Sequence, residues 1–162
     1  MWGEKIYSKG ASRRGVEDVV RTASAWEGVT TAPHQFDAVE LRLSGKEFGH
    51  FHRFGVLDVP FTKKIRDSLI AEGLADVHPF VPDSGWISFR LRREGDVERA
   101  LWLLRLSYLY RSIQHDDAGL SLEKAHDELA SMVMSDGLRV LFESALSRRQ
   151  ASLTLPNRVA TN

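Results

Sequence analysis

The chain has 162 residues, of which 43% are hydrophobic and 27% are charged, and its formal net charge is zero. A chain of this length can bury a core of its own, and this composition is typical of a soluble globular protein. The neutral charge argues against nucleic acid as a partner, and the absence of cysteine excludes disulfides, thiolate metal sites and a cysteine nucleophile. Because no apolar run is long enough to span a bilayer, we expect a cytoplasmic protein without a membrane segment.

The chain divides into one predicted domain and two irregular ends. Apolar residues at regular spacing begin at Val16 and stop before Arg149. We therefore expect residues 1–14 to be a flexible lead-in, residues 15–149 to form a single α+β domain, and residues 150–162 to be a loose tail.

Two elements are predicted before the central hairpin. Val16, Val19 and Ala23 recur at helical spacing, which predicts a helix over residues 15–27. The β-branched residues that follow predict a short edge strand or an extended arm over residues 29–36, since this segment also contains a proline.

The central hairpin turns at Ser44–Gly45, a two-residue loop that should fix the pairing of its strands. The predicted partners are Arg42 with Glu47, Leu41 with Phe48, and Val39 with His50. This register predicts that His50 and His52 project toward the apolar face of the sheet. It places Arg42 and Glu47 on the opposite face.

The remaining strands and a short helix follow the hairpin. Residues 56–59 predict a third strand, and Thr62 and Gly73 are suitable caps for a helix between them. Residues 77–81 are a short extended segment, and residues 86–92 alternate as another strand. We therefore expect an antiparallel sheet of four to five strands with helices packed on one face.

The most apolar helix is predicted to begin near Asp96 and to be apolar on most sides. The sheet can cover one side of it. Residues 111–149 can cover another side as a C-terminal helical extension of two helices separated near Ser135. A homo-oligomer partner is the alternative cover.

His50 and His52 are the main candidate site residues. Spaced two residues apart on a strand, they point the same way, which suits two imidazoles on one divalent metal. His78 or Asp58 can supply a third ligand. Without a metal, His50, His52 and Asp58 are candidate catalytic acid and base groups, because imidazole titrates near neutral pH. A structural role for hydrogen-bonded histidines is the third alternative.

Ser84 and Trp86, together with His78, are candidate ligand-binding residues. Ser84 stands in a Ser-Gly turn sequence, and no G-x-S-x-G motif surrounds it, so turn formation is the competing explanation. Trp86 either lines a pocket or belongs to the core. No G-x-G-x-x-G follows a strand, so the sequence has no flavin or dinucleotide motif, and the cofactor stays unknown apart from a divalent metal.

Five motifs in this order resemble the luciferase-domain family of small bacterial proteins. They are EFGHFH (47–52), LDVPF (57–61), EGLADVH (72–78), PDSGWISF (82–89) and DVERALWLLRLSY (96–108). The resemblance covers about residues 16–110 and leaves the helical extension outside it. One departure is Arg53–Phe54, where the resemblance leads us to expect a glycine and an acidic residue. A shorter set of motifs also resembles the YjbR-like proteins, which implies a shared α+β architecture.

The resemblance implies a luciferase-family-like protein of unknown activity. We expect it to bind a small molecule in a pocket around the hairpin that carries His50 and His52. The alternative is a non-catalytic interaction or oligomerisation module that uses the C-terminal helices.

Overall fold

The computed structural model describes residues 9–115 and 119–155. The helices are α1 Lys9–Ser24, α2 Lys63–Ala71, α3 Asp96–Gln114, α4 Leu122–Ser131 and α5 Asp136–Thr154. The strands are β1 Val29–His34, β2 Ala38–Leu43, β3 Lys46–His52, β4 Val56–Pro60, β5 Asp76–Val77 and β6 Trp86–Arg90. The α+β class is confirmed. No helix within the described residues is long and apolar enough to cross a membrane.

The six strands form one antiparallel sheet in the order β1-β2-β3-β4-β6-β5. The number exceeds the expected four to five because β5 is a two-residue strand that pairs only with β6. Helices α1 and α3 contact the central strands and α2 contacts β6, while α4 and α5 pack on α3. The buried apolar residues of the sheet and helices form one core, so the helices cover one face and leave the other uncovered.

Both predicted ends of the domain differ from the observed ones. Helix α1 begins at Lys9, so residues 9–14 are helical instead of being part of a flexible lead-in. Arg13 forms an ion pair of 3.6 Å with Glu17 one turn later, which supports this extra turn. Helix α5 likewise continues through residues 150–154, which were expected to be loose. The rest of the predicted lead-in and tail lies outside the described residues.

The hairpin register is as predicted near its turn and then shifts by one residue. Arg42 pairs with Glu47, but Leu41 pairs with Gly49, which leaves Phe48 as an extra residue in β3. Such a β-bulge places two successive residues of one strand opposite a single position of its partner. From Gly49 onward, every residue of β3 therefore faces the side opposite to the predicted one.

The C-terminal helices cover the apolar helix as expected. Leu103, Leu104 and Leu106 of α3 are fully buried, and so are Ala125 of α4 and Phe142 of α5. The apolar surface of α3 is thus buried within the chain itself. Val133, an apolar residue within the segment 111–149 that we expected to cover α3, does not take part: it lies between α4 and α5 with 91% of its surface exposed.

Helix α2 has the predicted caps at both ends. The Thr62 hydroxyl accepts a hydrogen bond from the Ile65 N–H at 3.2 Å. Gly73 has a φ of +70°, and the next N–H, that of Leu74, donates to the Leu69 carbonyl at 2.9 Å. This pattern is a Schellman C-cap, which glycine adopts without steric cost.

Replacing Thr62 with alanine is expected to lower the free energy of unfolding by about 1 kcal/mol, because the Ile65 N–H loses its partner. Urea unfolding measures the change. Thr62→Ser keeps a hydroxyl at the same position and should retain most of the stability. An equal loss in both variants would show that the cap bond contributes little.

Candidate functional site

A row of polar residues crosses the uncovered face of the sheet. Directly paired positions join four strands in this row, since Glu40 pairs with His50, His50 with Asp58, and Asp58 with Ser88. Directly paired residues project to the same face of a sheet, so these side chains are neighbours. Asp76 of β5 extends the row because it pairs with Ser88.

The predicted orientation of the two histidines is wrong. Gly49 and Phe51 face the helices: a Cβ on Gly49 would lie 2.6 Å from Leu104, and Phe51 is fully buried in the core. His50 and His52 alternate with these residues and project to the uncovered face. Glu47, which was predicted to lie on the face opposite to His50, is a hydrogen-bond partner of His50. The bulge is the physical cause of the reversal.

Asp58 is the centre of the cluster. Its Oδ2 atom lies 3.1 Å from Nε2 of His50, 3.1 Å from Nε2 of His52 and 3.5 Å from Nε2 of His78. Its Oδ1 atom accepts a hydrogen bond from the Ser88 hydroxyl. The residue is only 4% exposed, so its charge depends on these partners rather than on water.

The histidines have further partners behind the cluster. Nδ1 of His50 is hydrogen-bonded to the Glu47 carboxylate, and the ring stacks on that of His34 with 3.9 Å between centroids. His34 in turn lies 3.0 Å from a Glu40 carboxylate oxygen, measured from Nδ1. The Trp86 ring lies 5.5 Å from that of His50. These contacts fix the His50 ring on both sides.

The pKa values reflect burial opposed by close partners. Burial alone would lower the pKa of His50, but hydrogen bonds to Asp58 and Glu47 outweigh it and raise the pKa to about 9. Burial would raise the pKa of Asp58, whereas the hydrogen bonds from His50 and Ser88 lower it overall. The pKa of Glu40 is also lowered, since bonds to Arg42 and His34 outweigh its burial. The metal-free cluster therefore holds a protonated His50 beside an ionised Asp58 at neutral pH.

A cavity of about 740 Å³ opens above the cluster. His50, His52, Asp58 and His78 line its floor. Its rim includes three largely exposed phenylalanines and two arginines: Phe36 (80% exposed), Phe54 (60%), Phe80 (87%), Arg90 and Arg92. A cavity of this size can enclose most of a small organic molecule.

The structure brings together four of the six candidate residues, namely His50, His52, Asp58 and His78. Trp86 packs its ring against His50 and, at 6.2 Å between centroids, against His78. Ser84 lies apart from the cavity lining, and its hydroxyl donates to the Val81 carbonyl at 2.6 Å within the turn.

Sequence reasoning missed His34, Glu47 and the three rim phenylalanines. The pairing of β1 with β2 brings His34 to the cluster, and its spacing along the chain gives no sign of this. A signal for the bulge did exist: Gly49 is a glycine inside a strand, a common mark of such an irregularity. Allowing for a bulge there would have placed Glu47 beside His50.

Together, the fold and the site define an α+β domain with a histidine-lined cavity on the uncovered face of its sheet. The family model for the luciferase domain matches residues 45–107. The matched segment runs from the hairpin turn to α3 and contains His50, His52, Asp58 and His78. This segment belongs to the luciferase-domain family, as its motifs predicted. No curated protein and no solved structure matches the chain. The likeness to YjbR-like proteins stays a prediction.

Proposed function

We propose that this chain binds a small aromatic molecule with an acidic oxygen in the cavity, and that His50, His52 and Asp58 move or hold a proton at that oxygen. The observation that carries the proposal is the convergence of three imidazoles on the Asp58 carboxylate at the floor of the cavity. Buried acid and base groups beside a cavity are typical of binding and catalytic sites.

The rim supports the aromatic class of ligand. Large apolar side chains that cluster at a surface opening usually mark a contact site, and Phe36, Phe54 and Phe80 form such a cluster. Phe36 and Asp37 have φ values of +59° and +54° in the turn between β1 and β2, and this turn places the Phe36 ring in the cavity lining.

Charged residues near the cavity support a ligand that carries an acidic oxygen. Arg90 and Arg92 line the cavity, so it offers two guanidinium groups to an anionic oxygen. In the metal-free protein, the protonated His50 is paired with the ionised Asp58, so Arg90 and Arg92 are the cations of the lining that an anionic oxygen can reach. These groups favour a phenol, an enol or a carboxylate over a cationic ligand.

Anilinonaphthalene sulfonate is a suitable probe, because it is an aromatic anion that becomes fluorescent in apolar surroundings. The native chain is expected to bind one equivalent. Replacing both Phe54 and Phe80 with alanine should weaken binding by about tenfold or more, since two apolar rim contacts are lost. Fluorescence titration of the folded chain measures both values.

Val140→Ala is the matched control, because Val140 is an exposed apolar residue of α5 that is not part of the cavity lining. It should bind the probe as the unaltered chain does. Absence of binding, or equal weakening in the Val140→Ala variant and the double variant, would contradict the proposal. Cooperative urea unfolding of each variant separates loss of binding from loss of folding.

The alternative function, an interaction or oligomerisation module, draws less support from the helices. Leu129 and Phe142 turn the apolar sides of α4 and α5 inward, where they are buried with α3. A homo-oligomer remains a prediction that a sizing measurement tests. The cytoplasmic location also remains a prediction.

A further inference from the structure

We propose that the floor of the cavity binds a divalent transition-metal ion through Nε2 of His50, Nε2 of His52 and Oδ2 of Asp58. The inference rests on the cavity of the proposed function, whose proton transfer belongs to the metal-free chain. With the ion bound, His50, His52 and Asp58 are its ligands, and the ion is the positive centre that the acidic oxygen of the ligand would meet. Of the two third ligands that the sequence left open, His78 and Asp58, the proposed site uses Asp58.

The hydrogen bonds on the far side of each ring set its tautomer. Nδ1 of His50 faces the Glu47 carboxylate, and Nδ1 of His52 lies 3.5 Å from the Phe36 carbonyl oxygen. A carbonyl or an ionised carboxylate only accepts, so each Nδ1 carries a hydrogen. In a neutral ring the lone pair then lies on Nε2, the nitrogen that faces Asp58.

Two imidazole lone pairs and a carboxylate oxygen repel one another unless positive charge lies between them. Both Nε2 atoms lie 3.1 Å from Oδ2 of Asp58. Protons on the rings can supply that charge, and so can a metal ion. A single ion satisfies all three atoms at once and leaves both rings neutral, as ligands must be.

The spacing of the three atoms suits a tetrahedral ion. With metal bonds of about 2.0–2.1 Å, neighbouring ligand atoms lie about 3.3 Å apart. The two distances of 3.1 Å from Oδ2 of Asp58 are close to this value, and His50, His52 and Asp58 each offer a ligand atom within 4.8 Å of the other two. All three residues are on paired strands, so their positions are rigid.

His78 and Glu47 have supporting roles in this arrangement. Nδ1 of His78 accepts the Phe80 N–H at 3.2 Å, so the neutral ring carries its hydrogen on Nε2 and donates toward Asp58. His78 therefore orients the carboxylate and is not a ligand. Glu47 holds the His50 ring in the metal-binding tautomer, as carboxylates behind metal-bound histidines commonly do. The fourth position faces the cavity and is left for water or the oxygen of the bound molecule.

A competing set of residues lies beside the proposed one. Ligand atoms of His34, Glu47 and His50 are also within 4.8 Å of one another. That set would use the Glu47 carboxylate as a ligand, although this carboxylate is the hydrogen-bond partner of Nδ1 of His50. His52 belongs only to the proposed set and His34 only to the competing set, so variants at these positions distinguish the two.

The test uses the full chain without an affinity tag, stripped with a chelator and titrated with Zn²⁺ against a chromophoric chelator. One equivalent should bind. His52→Gln should weaken binding by more than about 100-fold, and Glu47→Gln by about 10- to 100-fold. His34→Gln should stay within about threefold of the unaltered chain. Binding of less than a tenth of an equivalent, or unchanged binding by His52→Gln, would overturn the proposal. Loss in His34→Gln alone would assign the ion to the competing set and overturn it too.

Imidazole ¹⁵N chemical shifts of the unaltered chain provide a measurement that needs no variant. Zn²⁺ should change the Nε2 chemical shifts of His50 and His52, while their Nδ1 chemical shifts stay those of a nitrogen that carries a hydrogen. Shifts at His34 instead would overturn the assignment. Titration with anilinonaphthalene sulfonate in excess chelator separates the two proposals. If the chain binds the probe but not Zn²⁺, the proposed function is supported and the metal site is contradicted. If it binds Zn²⁺ but not the probe, the metal site is supported and the proposed function is contradicted.

Discussion

Replacing Gly85 with alanine is expected to lower the free energy of unfolding by about 4 kcal/mol or more. A Cβ at this position would lie 1.8 Å from the carbonyl oxygen of Phe61. The clash is with backbone, which cannot rotate away as a side chain can. The Phe61 N–H also donates to the Gly85 carbonyl at 3.1 Å, which holds the two segments together.

Gly45→Ala is the control for Gly85→Ala. Gly45 has a φ of +74°, and a Cβ there would meet nothing within 4 Å, so this variant measures backbone strain without a clash. Its expected cost is about 1 kcal/mol. Urea unfolding, or pulse proteolysis where the yield of folded protein is low, compares the two. Similar losses in both variants would show that the Phe61 segment moves easily.

Asp58→Asn is expected to remove about 3 kcal/mol of stability at neutral pH in the metal-free protein, because it removes one of the two carboxylates bonded to the buried protonated His50. The variant also weakens the dependence of stability on pH. The His50 pKa of about 9 lies above its ordinary value of 6.5, so the proton on His50 stabilises the fold fully below about pH 6.5. That contribution is lost as the pH rises through about 9.

The pH dependence is measured by urea unfolding in excess chelator between about pH 6.5 and 9.5. The unaltered chain should lose up to about 3 kcal/mol over this range, as a pKa raised from 6.5 to about 9 implies. Asp58→Asn should lose less over the same range, with the remaining loss due to Glu47, which still contacts His50. Glu143→Gln, a change of an exposed carboxylate on α5, should behave as the unaltered chain does. Equal slopes in all three proteins would mean that His50 does not titrate against Asp58.

The order of elements in this fold could be predicted from the sequence because local signals define them. The Thr62 and Gly73 caps, the Ser44–Gly45 turn and the break at Ser135 each act over a few residues. The start of α1 could not be predicted in the same way. Residues 9–14 have few apolar side chains, and Ser12 lies against the turn at Gly55, which is a tertiary contact.

The residues that form the candidate site could be predicted from the sequence, but the face of the sheet on which they lie was predicted wrongly. His50, His52, Asp58 and His78 were identified by residue type and by their neighbouring segments, and they do meet. Their side of the sheet depended on one residue of register. Trp26 and Tyr108 pack against Phe48 on the helical side, and these contacts from distant elements accompany the bulge.

The extra residue at Phe48 also has a consequence for comparing this chain with its relatives. In β3, the number of residues between the turn and the histidines decides which chemistry reaches the cavity. Deleting one residue there would present Phe51 to the cavity and turn both imidazoles toward Leu104. Relatives that keep the same motif but differ by one residue in this strand would therefore carry the histidines on opposite faces. A one-residue gap at this position of an alignment would therefore mark a change in the cavity lining, even where all the motif residues are identical.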